Sequence, residues 1–266
     1  MHRTPAVAGR FYPAQPAELR RELEGYLEKQ PKQAAMGCVV PHAGIMYSGH
    51  VAGAVYARLQ PFSSYIILCP NHSGYGRPLA ILSEGEWETP LGDVPIDAAL
   101  ANQLKRACRS LEEDDLAHRF EHSLEVQLPF LQCVQSSYRF VPIAVGVGSY
   151  GPLEELGRAI AQVAGPAKER PLIVASSDLN HYEPDAVNRA KDHKAIERIV
   201  ALDPRGLYDT VRREDISMCG FGPTVAMLTA AKILGATRGE LVRYANSGDI
   251  TGDRSQVVGY AGILIN

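Results

Sequence analysis

Short, almost continuous apolar runs recur along this chain, and three of them stop at a polar turn that carries a histidine. Gly37-Cys38-Val39-Val40 leads into Pro41-His42-Ala43-Gly44, and Tyr65-Ile66-Ile67-Leu68-Cys69 leads into Pro70-Asn71-His72. Pro171-Leu172-Ile173-Val174-Ala175 leads into Ser176-Ser177-Asp178-Leu179-Asn180-His181. β-Branched runs of this length, bounded by turn residues, predict buried strands. Further strands are predicted over 139–145, 241–244 and 256–265. Between the runs, apolar residues at helical spacing predict helices over 16–28, 51–59, 97–109, 152–163, 182–201 and 223–234. Pro152 sits at a permitted first-turn position and Gly235 closes the last of these helices. The alternation continues from end to end without a repeat, a low-complexity tract or a linker. It predicts one α/β domain over residues 1–266, a central mixed sheet flanked by helices. Ligands of such sheets bind just beyond the carboxyl ends of the strands. The three histidine turns are therefore expected to open into one cleft.

Charge and composition narrow the partners. A net charge of −3, with no block of lysine or arginine, leaves no electrostatic footprint for nucleic acid or an anionic membrane. The first residues carry no hydrophobic signal, and no apolar stretch is long enough to span a bilayer. Five cysteines without CxxC spacing fit a reducing compartment better than a disulfide framework. The expectation is a cytoplasmic protein that handles a small molecule.

His42 and His72, each on a rigid strand end, are placed to bind a metal; the alternative is a pair of turn histidines hydrogen-bonded to backbone. Cys219 stands just ahead of the helix that Pro223 opens, where the helix dipole favours thiolate over thiol. Cys38, Cys69, Cys108 and Cys133 read as core residues, and Cys219 is the best third ligand unless it is one too. Two imidazoles and a thiolate suit iron, copper or zinc. In Glu121-His122-Ser123-Leu124-Glu125, Ser123 can cap a helix with His122 at its mouth, placed to move a proton; Pro129 must then kink the helix or shift its start. Asp178 and His181 put a carboxylate three residues from an imidazole, so that Asp178 is placed to orient a ring. Two other motifs are set aside. Gly146–Gly151 matches GxGxxG, but the helix is expected only after the third glycine, and no acidic strand end follows about 20 residues on. Asp249–Asp253 looks like a calcium loop but has Tyr260 where the twelfth-position glutamate belongs.

Taken in order, Pro5-Ala6-Val7-Ala8-Gly9-Arg10-Phe11-Tyr12-Pro13, Pro41-His42-Ala43-Gly44, Tyr47-Ser48-Gly49, Pro70-Asn71-His72, Thr89-Pro90-Leu91-Gly92, Glu121-His122-Ser123-Leu124-Glu125, Ser176-Ser177-Asp178, Cys219-Gly220 and Val257-Val258-Gly259-Tyr260 resemble the Memo family over nearly the whole chain. Its prokaryotic members are called AmmeMemoRadiSam system protein B. The family is similar in fold to class III extradiol dioxygenases of the LigB type, non-haem iron enzymes that open catechol rings with oxygen. The resemblance implies a metal site from His42, His72 and Cys219, surrounded by His122, Asp178 and His181. The dioxygenases have a carboxylate where Cys219 stands here, and a thiolate is softer and oxidisable. The family name also implies a pathway with an AMMECR-type protein and a radical-SAM enzyme.

Three functions follow as expectations. The first is a metal-dependent, dioxygenase-like oxidoreductase acting on an aromatic or catechol-like molecule. It would use Fe(II), with Cu or Zn as alternatives, and His122 and His181 would carry protons. The second is a non-enzymatic metal- or peptide-binding adaptor on the same fold, as the family's animal members are described. The third is a cysteine hydrolase with Cys219 as nucleophile and Asp178 orienting its histidine base.

Overall fold

A computed structural model describes residues 1–266. The elements in chain order are β1 (His2–Arg3), α1 (Pro16–Tyr26), β2 (Gly37–Val40), α2 (Ile45–Tyr56), β3 (Ser64–Pro70), β4 (Leu79–Ile81), β5 (Glu86–Trp87) and β6 (Val94–Pro95). Then come α3 (Ala98–Ala107), β7 (Glu112–Glu113), α4 (Leu116–Arg119), α5 (Gln127–Val134), β8 (Arg139–Val145), α6 (Tyr150–Ala164), β9 (Leu172–Ser176) and β10 (His181–Glu183). The last are α7 (Asp185–Val200), α8 (Pro204–Arg213), α9 (Phe221–Ile233), β11 (Gly239–Asn246), α10 (Ser247–Thr251) and β12 (Val257–Ile265).

The histidine-tipped runs form neighbouring strands. β2, β9, β3 and β8 pair in parallel, in that order. β12 joins β2 and β4 joins β8, both antiparallel. The sheet is therefore mixed, as the alternation predicts, with β11 and β10 also paired to β12 and with β7 on the far edge. Strands β1, β5 and β6 form a separate small sheet. Side chains leave the central strands alternately to opposite faces. Val39, Ile66, Leu68, Ile143 and Ile173 pack beneath α3, α6, α7, α8 and α9. Cys38, Val40, Ile67, Phe140 and Val174 pack beneath α1, α2 and α5. Both faces are covered, which is why the runs are continuously apolar. No helix is long and apolar enough to cross a membrane.

Several helix starts differ from expectation: α7 begins at Asp185 rather than at residue 182, because residues 181–183 form β10, and α9 begins at Phe221, two residues ahead of Pro223. α2 begins at Ile45, directly behind the His42 turn, rather than at residue 51. Gly49 interrupts its first turns in the sequence because it serves close contact with α1: a Cβ on Gly49 would lie 2.6 Å from the Tyr26 ring, and one on Gly53 would lie 2.5 Å from the Tyr26 carbonyl oxygen. α5 begins at Gln127, so Pro129 falls in its first turn, where no helical hydrogen bond is lost. α6 begins at Tyr150, before the third glycine of Gly146–Gly151. The carbonyl of Gly148 in that turn accepts from Tyr208 and Arg212 of α8, a helix that the sequence reading passed over.

The N-terminal segment straps the loop ahead of α5. The buried Arg3 guanidinium donates to Glu125 Oε2 at 2.7 Å and to the carbonyls of His118 and Glu121. The Glu125 carboxylate also accepts from the amides of Ala6 and Val7 and from the Tyr12 hydroxyl. Removing one partner of a buried ion pair strands the other charge at a cost of about 3–5 kcal/mol. Glu125→Ala is expected to lose about that much stability in urea unfolding, with exposed pairs such as Arg158–Glu154 worth less than about 1 kcal/mol as the control.

Candidate functional site

The turns after β2, β3 and β9 open into one cleft of about 700 Å³, lined among others by His42, His72, His122, Asp178, His181 and Cys219. All six residues singled out from the sequence thus share a cavity. Their individual placements are less uniform.

His42 is 1 % exposed, and its Nδ1 lies 2.9 Å from Ser176 Oγ. The single Ser176 hydroxyl proton goes to the Ser123 carbonyl at 2.6 Å, so Oγ must accept from His42 Nδ1–H and from Gln127 Nε2. The Tyr56 hydroxyl in turn donates to Gln127 Oε1. That chain fixes the tautomer and leaves His42 Nε2 as a lone pair facing the cleft. Burial, reinforced by the neighbouring His122 and His72, pushes His42 well below its ordinary value. It is a neutral imidazole, the form that binds metals.

His72 is held by Glu121, a residue quoted in the sequence motif but given no role there. The main-chain amide of His72 donates to Glu121 Oε2 at 2.7 Å and its Nδ1 donates to Oε1 at 2.9 Å. The Ser123 amide and hydroxyl donate to the same Oε1. Burial opposes ionisation of Glu121, but the bonds from His72 and Ser123 outweigh it and hold the carboxyl at about 2. Burial likewise lowers His72, and the Glu121 carboxylate more than reverses that.

His122 stacks on His72 at 4.6 Å between ring centroids, and Phe11 of the N-terminal strap packs against it at 4.7 Å. One ring nitrogen each from His42, His72 and His122 come within 4.8 Å of one another. The motif Glu121-His122-Ser123 predicts His122 at a helix mouth, placed to move a proton. The helix starts five residues later, so burial rather than a helix dipole lowers its pKa, and Ser123 serves Glu121 instead of a cap.

Cys219 Sγ lies 3.3 Å from His42 Nε2 and 3.7 Å from the Asp178 carbonyl. It lies outside the group that the His42, His72 and His122 ring nitrogens form, and touches that group only through His42. Gly220 brings the Cys219 turn against β9, since a Cβ there would stand 2.4 Å from the Ser176 carbonyl oxygen. The thiolate expected at a helix start is overruled: burial, then the Asp178 carboxylate, push the Cys219 thiol well up. Asp178 Oδ1 accepts from the main-chain amides of His42 and Ala43, and Oδ2 lies 3.9 Å from His42 Nε2. Asp178 thus clamps the His42 turn rather than orienting the His181 ring. Burial raises its pKa against those amide bonds. His181 is held by Ser217, whose carbonyl accepts from Nδ1 at 2.9 Å. Asp249 does not reach the cleft; it caps α10 and pairs with Arg189.

A central strand array covered by helices on both faces and ending in a histidine-lined cleft gives the chain an α/β fold. The chain belongs to the Memo-like family, whose model matches residues 3–264. A MEMO1 family protein of Methanopyrus kandleri is 45% identical, and one of Methanosarcina barkeri is 44% identical; in each case 99% of both chains is covered. The crystal structure of an uncharacterized protein from Escherichia coli K12 shares the fold at a TM-score of 0.60 and 14% identity, covering 86% of this chain and 98% of that one.

The Glu121–His72 pair gives a pH signature to the metal-free protein. The Glu121 contribution is present above the unfolded value near 4.5 and is lost as pH falls through about 2. The His72 contribution is present below 6.5 and is lost as pH rises through its raised folded value. In urea unfolding near pH 5.5, Glu121→Gln is expected to be less stable by about 2 kcal/mol, a gap that closes toward pH 2.

Proposed function

We propose that this protein is a metal-dependent, dioxygenase-like oxidoreductase acting on a small aromatic or catechol-like molecule. The convergence of the His42, His72 and His122 ring nitrogens beside an open cavity carries the reading. Asp178 adds a buried carboxylate with no lysine or arginine beside it. Fe(II) suits histidine-rich sites with open positions, and Cu or Zn are the alternatives. Bound iron would supply dioxygen chemistry. His42 and His72 would hold it, and His122 and Cys219 compete for the next position. His181 Nε2, free of protein partners, is placed to take a proton from a substrate hydroxyl and return it.

The cavity wall argues for an uncharged aromatic ligand. Phe11, Tyr47, Tyr182 and Tyr260 line it, and no lysine or arginine does. Phosphopeptide recognition relies on arginine clusters, so an adaptor of the phosphopeptide-binding kind would lack its recognition element in this cavity. The hydrolase reading has a Cys219–His42 contact of 3.3 Å, but burial drives the thiol up and the imidazole down, against a thiolate–imidazolium pair.

Protein purified without oxygen is expected to contain about one metal ion per chain by elemental analysis. His42→Ala and His72→Ala should lose it, and whichever of His122→Ala and Cys219→Ser also loses it marks the third ligand. Metal content unchanged in both His42→Ala and His72→Ala would sink the site. His181→Ala should keep the metal and slow oxygen uptake with catechols by about 10²–10⁴-fold.

A further inference from the structure

Three residues other than glycine have a left-handed backbone, and two of them are ordinary. Leu202 (φ 53°) and Asp215 (φ 51°) follow the last turns of α7 and α8, where that conformation ends helices. Tyr182 (φ 59°) ends no helix; it lies inside strand β10. His181 pairs with Val258 and Glu183 with Val257, so Tyr182 is the extra residue of a β-bulge. A bulge position with positive φ normally takes glycine, and bulges beside active sites re-aim a side chain. A bulky side chain there is strained, because its Cβ crowds the backbone carbonyl.

The flanking contacts enforce the strain. The amide of His181 donates to Ser217 Oγ at 2.8 Å, and Glu183 is fixed by Lys191 and by Asn180 Nδ2. None of these bonds uses the Tyr182 side chain. Its ring is 71 % exposed, lines the cavity, and lies 5.6 Å from the His181 ring. The fold thus holds a large aromatic surface in water at the cavity mouth, in a conformation that glycine would adopt without strain.

We propose that Tyr182 is the substrate-stacking residue of this site, closing the open side of the cavity over a planar aromatic ligand. The inference rests on the aromatic-substrate reading above and makes the mouth, rather than the floor, the place where ring size is judged. Tyr47, Tyr260 and Phe11 supply the fixed walls, and Tyr182 is the wall that exists only for the ligand.

The test is calorimetric titration of the purified protein with catechol in the absence of oxygen, with metal content measured on each sample. Tyr182→Ala and Tyr182→Gly should bind the probe about tenfold more weakly at unchanged metal content, and Tyr182→Phe should bind within about threefold of wild type. The thermal midpoint of Tyr182→Gly should equal or exceed that of wild type, because the strained position is relieved. Wild-type affinity in Tyr182→Ala, or a clearly lowered midpoint in Tyr182→Gly, would overturn the role and leave the aromatic-substrate reading standing. A metal-containing wild type that does not bind the probe would remove that reading, and this inference with it.

Discussion

Parallel pairing of β9 with both β2 and β3 ends three strands at one level of the sheet. Val40 is opposite Ser176, and Leu68 is opposite Ala175. His42 and Asp178 each follow two residues beyond their paired strand ends, which is why the Asp178 carboxylate meets the His42 amide. His72 follows two residues beyond β3. A slip of one residue in either ladder would send alternate side chains to the wrong face and separate these groups. The hydrophobic alternation that buries Val39 and Ile173 on one face and Cys38 and Val174 on the other therefore also sets the register of the polar turns.

Three of the four cleft imidazoles are each oriented by a different kind of partner. A hydroxyl network ending at Tyr56 holds His42, a buried carboxylate holds His72, and a main-chain carbonyl holds His181. His42, pushed down by burial, and His72, raised by the Glu121 carboxylate, accordingly differ in proton affinity although their residue type is the same. The loop that supplies Glu121, His122 and Ser123 has no regular structure of its own. It is fixed by the Arg3–Glu125 strap on one side and by Ser176 on the other.

The strands and their turns were legible because both sheet faces are covered, so each buried strand is written as one apolar run closed by proline or polar residues. The placement of His42, His72 and Asp178 follows from that. The partnership of His72 with Glu121 was not legible, since the two are far apart in sequence and no spacing rule connects a strand end to that loop. His122 was misplaced on a helix because Ser123 and Glu125 imitate a capping signal while serving tertiary contacts. Tyr182 has no sequence signature: it occupies a conformation that glycine usually announces.

The position of β12 has a kinetic side. This strand lies between β11 and β2, so the ladder that joins Ile263 to Val39 links opposite ends of the chain. During synthesis, β2 keeps one edge unpaired until the final strand arrives, and contacts of such long sequence separation form slowly. The turn that carries His42 therefore becomes rigid late. Until β12 docks, β2 presents an open apolar edge beside a half-built cleft, and such an edge is an aggregation hazard.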